Sequence, residues 1–165
     1  MFPKAILRNV YKSADYSKSF IARIDRIHEQ LVNKISLHIR KRYRQDYSVS
    51  SFFTIYLDGN WSATDTVKDA TYKIQILISS KGRYYTYICS WSNITNDAPK
   101  TWRRFDNDNL NINLIEILDD VQVILRGNGY TLVTGPVLQE IVPDLYTDLD
   151  SVPATLMDVL FAEIV

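Results

Sequence analysis

Cysteine, glycine and proline are all scarce in this chain of 165 residues. The single Cys89 cannot form an intramolecular disulfide, which excludes a disulfide-stabilised secreted scaffold and predicts a reducing, cytoplasmic location. Five glycines and five prolines are too few for a low-complexity or linker-rich chain. The longest apolar run, residues 159–162, is far shorter than the roughly 20 residues that span a bilayer. We therefore expect a soluble protein with no membrane partner.

The sequence also lacks motifs of catalysis and metal binding. Besides carboxylates, it offers only His28, His38 and Cys89 to a metal such as zinc, which needs three or four converging ligands. There is no glycine-rich phosphate-binding loop and no nucleophile elbow. We therefore predict no catalytic residue, no metal and no cofactor, and favour a protein that is not an enzyme.

Composition predicts one folded domain spanning residues 1–165. Hydrophobic residues make up 46% of the chain and charged residues 23%, which is typical of globular proteins. A chain of this length can bury one core of ordinary size, whereas two separate cores would each be small.

An amphipathic pattern predicts a long helix from residue 19 to about residue 44. Apolar side chains recur there at steps of three and four, as on one face of a helix. About 25 helical residues would extend over about 37 Å. The apolar positions are Phe20, Ile24, Ile27, Leu31, Ile35 and Ile39.

Three segments rich in β-branched and aromatic residues predict strands at 52–57, 72–79 and 83–91. Ser80, Lys81 and Gly82 form a short connection, so the second and third strands are expected to form a hairpin. A second amphipathic helix is predicted from residue 113, with Gly127 in the left-handed position after its last turn.

The C-terminal part of the sequence contains signals for both strand and helix. Residues 130–134 predict a short strand, and residues 153–164 fit a helix that starts at proline, with an alternating strand as the alternative. The predicted fold class is therefore α+β. We expect an antiparallel sheet of about four strands, covered on one face by the long N-terminal helix and the second helix.

Charge is distributed very unevenly along the chain, although the net charge is zero. Residues 1–45 carry 11 basic and 3 acidic side chains, whereas residues 105–165 carry 1 and 11. The carboxylates of the last third must therefore meet solvent, the basic N-terminal segment or another molecule.

The leading hypothesis is a non-catalytic protein that binds a basic partner protein, as an immunity protein or another small inhibitor of a cationic toxin would. The predicted acidic surface contains Asp119, Asp120, Asp144, Asp148 and Asp150. Aromatic side chains are predicted to anchor the interface, because adjacent strand residues point to opposite sheet faces. These candidates are Tyr84, Tyr85, Trp91 and Trp102, for which packing inside the protein is the alternative.

The first alternative is a nucleic-acid-associated module that uses a basic stripe on the long helix. The stripe would consist of Arg23, Arg26, Lys34, Lys41 and Arg44. A third hypothesis is a small-ligand-binding protein or enzyme of unknown class, with a pocket between the sheet and the helices. An exposed edge strand would also permit a homo-oligomer.

Overall fold

A computed structural model describes residues 4–35, 38–42, 52–60, 70–93, 103–104, 112–147 and 150–161. The described part mixes helices and strands, which confirms the predicted class. Its α-helices are α1 (Lys4–Val10), α2 (Lys18–Lys34), α3 (Ile112–Gly127) and α4 (Leu156–Phe161), and Pro136–Gln139 form a short 3-10 helix. Its strands are β1 (His38–Arg42), β2 (Phe52–Asn60), β3 (Ala70–Ser79), β4 (Tyr84–Asn93), β5 (Arg103–Arg104), β6 (Thr131–Leu132), β7 (Ile141–Tyr146) and β8 (Pro153–Thr155).

The larger sheet has the order β1-β2-β3-β4-β5, in which neighbouring strands are antiparallel. The short strand β6 pairs with β4 in the parallel direction. Strands β7 and β8 form a separate antiparallel ribbon. The β3–β4 hairpin is confirmed, and its turn lies at residues 80–83.

The predicted helix over residues 19–44 is wrong in its second half. Helix α2 begins after Ser17, whose hydroxyl accepts a hydrogen bond from the Phe20 backbone N–H at 3.2 Å, and it ends at Lys34. Ile35 is already extended, and residues 38–42 form β1. Leu31, Ile35 and Ile39 are spaced four residues apart, which fits a helix. The same spacing fits a strand, because four is a multiple of the strand period of two.

The first hydrophobic core lies between α2, α3 and one face of the sheet. Ile74, Ile76 and Ile78 of β3 are fully buried on that face. Their partners across the hairpin are Cys89, Tyr87 and Tyr85 in turn. The two helices contribute Phe20, Ile24, Ile27, Leu31, Leu114, Leu118, Val121 and Leu125.

A second hydrophobic core covers the opposite face, so the expectation of a single covered face is wrong. Leu77 and Tyr84 extend from the hairpin into this core. They meet side chains from α1, from α4, from the ribbon and from the segment between β6 and the ribbon. These contributors are Ile6, Val10, Val133, Leu138, Val142, Ala154, Leu156, Val159, Leu160 and Phe161. Their apolar positions are spread over short elements, which are too brief to show a clear period in the sequence.

The C-terminal segment combines both predicted alternatives. Residues Pro153–Thr155 pair with β7, and only then does α4 begin. The start is set by a reciprocal cap, in which the Thr155 backbone N–H donates to the Asp158 carboxylate at 2.9 Å and the Asp158 N–H donates to the Thr155 hydroxyl at 3.3 Å. This cap, rather than Pro153, determines where the helix starts.

The left-handed residue after α3 is Gly129, with φ 80°, and not Gly127 as predicted. Helix α3 continues through Gly127, and the Tyr130 N–H then donates to the Leu125 carbonyl at 2.9 Å. The helix therefore ends two residues later than the sequence indicates.

Substitution of Gly127 and of Gly129 tests which of the two glycines requires the left-handed conformation. Gly129→Ala is expected to lower the free energy of unfolding by about 1–2 kcal/mol, because a Cβ is disfavoured at positive φ. Gly127→Ala is expected to be neutral or to stabilise by up to about 1 kcal/mol, since no heavy atom lies within 4 Å of the added Cβ. Urea denaturation of both variants measures the difference. Equal effects would contradict the assignment.

Candidate functional site

The two tyrosines predicted as interface anchors are core residues. Tyr84 and Tyr85 point to opposite sheet faces, as predicted, but both are buried. The Tyr84 hydroxyl donates to the Ala5 carbonyl at 3.0 Å and accepts from Asn9 Nδ2 at 2.9 Å, which ties β4 to α1. Burial raises the pKa of Tyr85 to about 12. Neither is available at the surface to a partner.

The other two aromatic candidates are not placed. Trp91 belongs to β4, but its side chain lies outside the described part of the structure, and Trp102 lies outside the described residues altogether.

The predicted acidic surface is split between the two sides of the sheet. Asp119 and Asp120 lie on α3, which packs in the first core, and Asp120 is 3.6 Å from Lys34 Nζ. Asp144 and Asp150 belong to the ribbon and its turn, which pack in the second core. Asp148 lies outside the described residues. The four described carboxylates therefore do not form one continuous surface.

The ribbon has an irregular strand that presents several side chains outward. Asp144 has φ 61°, a conformation that aspartate tolerates better than most residues, and the pairing register shifts between Ile141 and Tyr146. This irregularity changes the alternation of the strand, so that Ile141 and Tyr146 are both exposed although they are five residues apart.

The ribbon's turn is closed by its own hydrogen bonds. The Thr147 N–H donates to the Val152 carbonyl and the Ser151 N–H donates to the Thr147 carbonyl, each at 2.9 Å. The Thr147 hydroxyl donates to the Asp150 carboxylate. Asp150 is thus held at the surface at the tip of the ribbon.

The basic stripe is not continuous on one helix, so this prediction is wrong. Arg23, Arg26 and Lys34 belong to α2, but Lys41 lies in β1, beyond the end of the helix. Arg44 lies outside the described residues. The stripe required a helical rotation of 100° per residue through residue 44, and the helix ends ten residues earlier.

A polar cleft of about 510 Å³ lies where the α1–α2 connection meets the β3–β4 turn. The Asp15 backbone N–H donates to the Ser80 carbonyl at 3.0 Å and joins the two walls. The charged side chains that line the cleft are Lys12, Asp15, Arg23, Lys81 and Arg83. In the sequence, residues 80–82 indicate only a hairpin connection. The sequence feature that could have indicated the cleft is Gly82, a glycine flanked by two cations, Lys81 and Arg83.

A much smaller cavity of about 130 Å³ lies between β4 and α3, near Tyr85 and Tyr87. The hypothesis of a ligand pocket between sheet and helices pointed to this region. Ligand pockets of drug-sized molecules usually measure about 300–1,000 Å³, so the cleft at the hairpin turn is a better candidate for a small ligand than this cavity.

Cys89 is a core residue, and its buried environment keeps the thiol protonated. Its side chain is buried opposite Ile74, and burial raises the pKa of the thiol to about 12. Nucleophilic catalysis requires the thiolate, which this environment disfavours. Among the described residues there is also no group of three or more histidine, cysteine or carboxylate side chains that could hold a metal ion.

The raised pKa of Cys89 predicts a loss of stability at high pH. The unfolded chain releases the thiol proton near pH 9, whereas the folded chain keeps it to about pH 12. The contribution is therefore present below pH 9 and is lost as the pH rises to 12, with a slope that approaches about 1.4 kcal/mol per pH unit. Urea denaturation between pH 8 and 10.5 should show a shallower decline for Cys89→Ala. Equal slopes would contradict the prediction.

Comparison with protein-family models, with curated proteins and with solved structures found no match. In the described part of the chain, none of the helices combines the length and the apolar character needed to cross a membrane.

Proposed function

We propose that this protein binds a basic partner protein through the ribbon surface, which we define as Ile141, Asp144, Tyr146, Asp150 and Val152. The binding is non-catalytic in this proposal, as in a small inhibitor of the immunity type that neutralises a cationic target. The observation that carries it is the combination of exposed apolar side chains and carboxylates on β7, β8 and their turn.

The apolar part of the ribbon surface is unusually exposed. Ile141 is 59% exposed, Tyr146 57% and Val152 46%, although Val142 and Ala154 of the same ribbon are fully buried. Burying apolar area stabilises a complex by about 25 cal/mol per Å². Tyrosine is also one of the residue types that contribute most to binding when an interface forms. These three side chains can therefore supply the apolar centre of a contact.

The charged part of the ribbon surface favours a basic partner. Asp144 and Asp150 are exposed, and within the described residues no cation lies within ion-pairing distance of either carboxylate. The single cation of the last 61 residues, Arg126, is in α3, on the other side of the sheet. Complementary charge across an interface accelerates association and selects among partners.

The same charges disfavour a second copy of this chain as the occupant. A two-fold contact places the same patch on both copies, so Asp144 and Asp150 would meet their own equivalents. Like charges in a contact are unfavourable, and the described ribbon surface contains no cation to offset them.

A pull-down with charge-neutral variants tests the proposal. Asp144→Asn keeps a side chain that tolerates positive φ, and Asp150→Asn keeps an acceptor for the Thr147 hydroxyl. The double variant and a separate Tyr146→Ser variant are used as baits in a nuclease-treated lysate of the source. We expect a stoichiometric basic protein on the wild-type bait, and at least tenfold less of it on either variant.

The matched control is the pair Glu29→Gln and Glu116→Gln, which removes two exposed carboxylates from α2 and α3. This bait should retain the partner, because its changes lie on the other side of the sheet. Equal losses with both double variants would show nonspecific attraction to net charge and overturn the proposal. So would a bait that captures no protein, or only nucleic-acid-dependent ones.

A further inference from the structure

We propose that the cleft at the hairpin turn binds a small phosphorylated molecule with at least two negative charges. The cleft is bounded by the α1–α2 connection on one side and by residues 80–84 on the other. This inference rests on a different part of the fold from the ribbon surface and does not depend on the proposed protein partner.

Charge is the first argument, because the cleft is lined by four cations and one carboxylate. Lys12, Lys81, Arg23 and Arg83 come from three separate elements, and no carboxylate in the described ranges is within ion-pairing distance of them. The opposing group is Asp15, whose Oδ1 accepts a hydrogen bond from the Ser17 backbone N–H at 2.9 Å. That bond, with Arg23 nearby, lowers the pKa of Asp15. The remaining excess of positive charge favours an anion of two or more charges.

Ser80 provides the second, independent argument. The residue is 4% exposed, and its hydroxyl oxygen is buried without a hydrogen-bond partner. A buried polar group without a partner costs about 1–3 kcal/mol, so such groups are rare and call for an explanation. Ser80 lines the cleft, but its Oγ is closed to solvent, so a phosphate oxygen would accept the missing hydrogen bond only after the side chain rotates toward the cleft.

Lys81 is a second residue of the cleft whose polar group has fewer partners than it would have in water. Its ammonium is half-buried, and it donates to the Val10 carbonyl at 3.4 Å. Burial without a carboxylate partner lowers the pKa of Lys81, because the charged form loses water. A bound phosphate would restore the lost solvation through a charge-assisted hydrogen bond.

The shape of the cleft depends on the glycines that line it. A Cβ at Gly82 would lie 2.6 Å from the Tyr84 ring, and a Cβ at Gly129 would lie 2.8 Å from Arg83 Nη1. The guanidinium is held there by a hydrogen bond from Nη1 to the Asn128 carbonyl at 3.0 Å, which leaves further N–H groups for a ligand. The volume of about 510 Å³ exceeds what a phosphate ion requires and suits an organic phosphate.

Titration calorimetry with pyrophosphate at low ionic strength tests this site. The wild-type protein should bind pyrophosphate, and more tightly than it binds inorganic phosphate. Arg23→Gln, Lys81→Gln and Ser80→Ala should each weaken binding about tenfold, which corresponds to about 1.4 kcal/mol. Ser80→Ala should not lower the melting temperature, since the hydroxyl has no partner to lose.

The matched control is Lys18→Gln, which removes an exposed cation of α2 outside the cleft. Its affinity for pyrophosphate should stay within twofold of wild type. No binding at millimolar pyrophosphate, or equal weakening by Lys18→Gln and Lys81→Gln, would overturn the proposal. Binding of a single-stranded oligonucleotide that competes with pyrophosphate and is weakened equally by Lys18→Gln would also overturn it, in favour of a nucleic-acid surface.

Discussion

The pairing of β3 with β4 is the constraint on which the rest of the described structure depends. Its register places one set of side chains on each sheet face. Each set is apolar enough that other elements must bury it. Helices α2 and α3 cover one face, and α1, α4 and the ribbon cover the other. The tyrosines of β4 are therefore needed inside the protein, and the surfaces left for binding lie away from the hairpin's faces.

The position of the cleft follows from this arrangement. Helix α1 packs on one face of the sheet and α2 on the other, so the chain between them must cross the end of the sheet. It crosses at the β3–β4 turn, where the Asp15 N–H bonds to the Ser80 carbonyl. The chain leaving α3 arrives at the same end, since the Thr131 N–H donates to the Arg83 carbonyl at 2.8 Å. Cations distant in sequence are brought together there.

Parts of this arrangement follow from local patterns, and these were predicted well. The strands of the hairpin, the amphipathic segments of α2 and α3, and the mixed α+β class all depend on periodicity within ten to twenty residues. The end of α2 was not predictable in the same way, because the spacing of Ile35 and Ile39 fits both helix and strand. At residues 38–42, pairing with β2 selects the strand, and the periodicity of a single segment does not show such pairing.

The sequence by itself determined the composition of the candidate surfaces. It showed that positive charge is concentrated in the first 45 residues, that carboxylates dominate the last third, and that adjacent Tyr84 and Tyr85 face opposite ways. Only the tertiary structure decided which of these groups share a surface. Both tyrosines are buried, Asp120 lies beside Lys34, and Asp144 stands apart from Asp119. The physical reason is that charge and polarity are properties of single residues, whereas proximity is set by the packing of distant segments on two faces of one sheet.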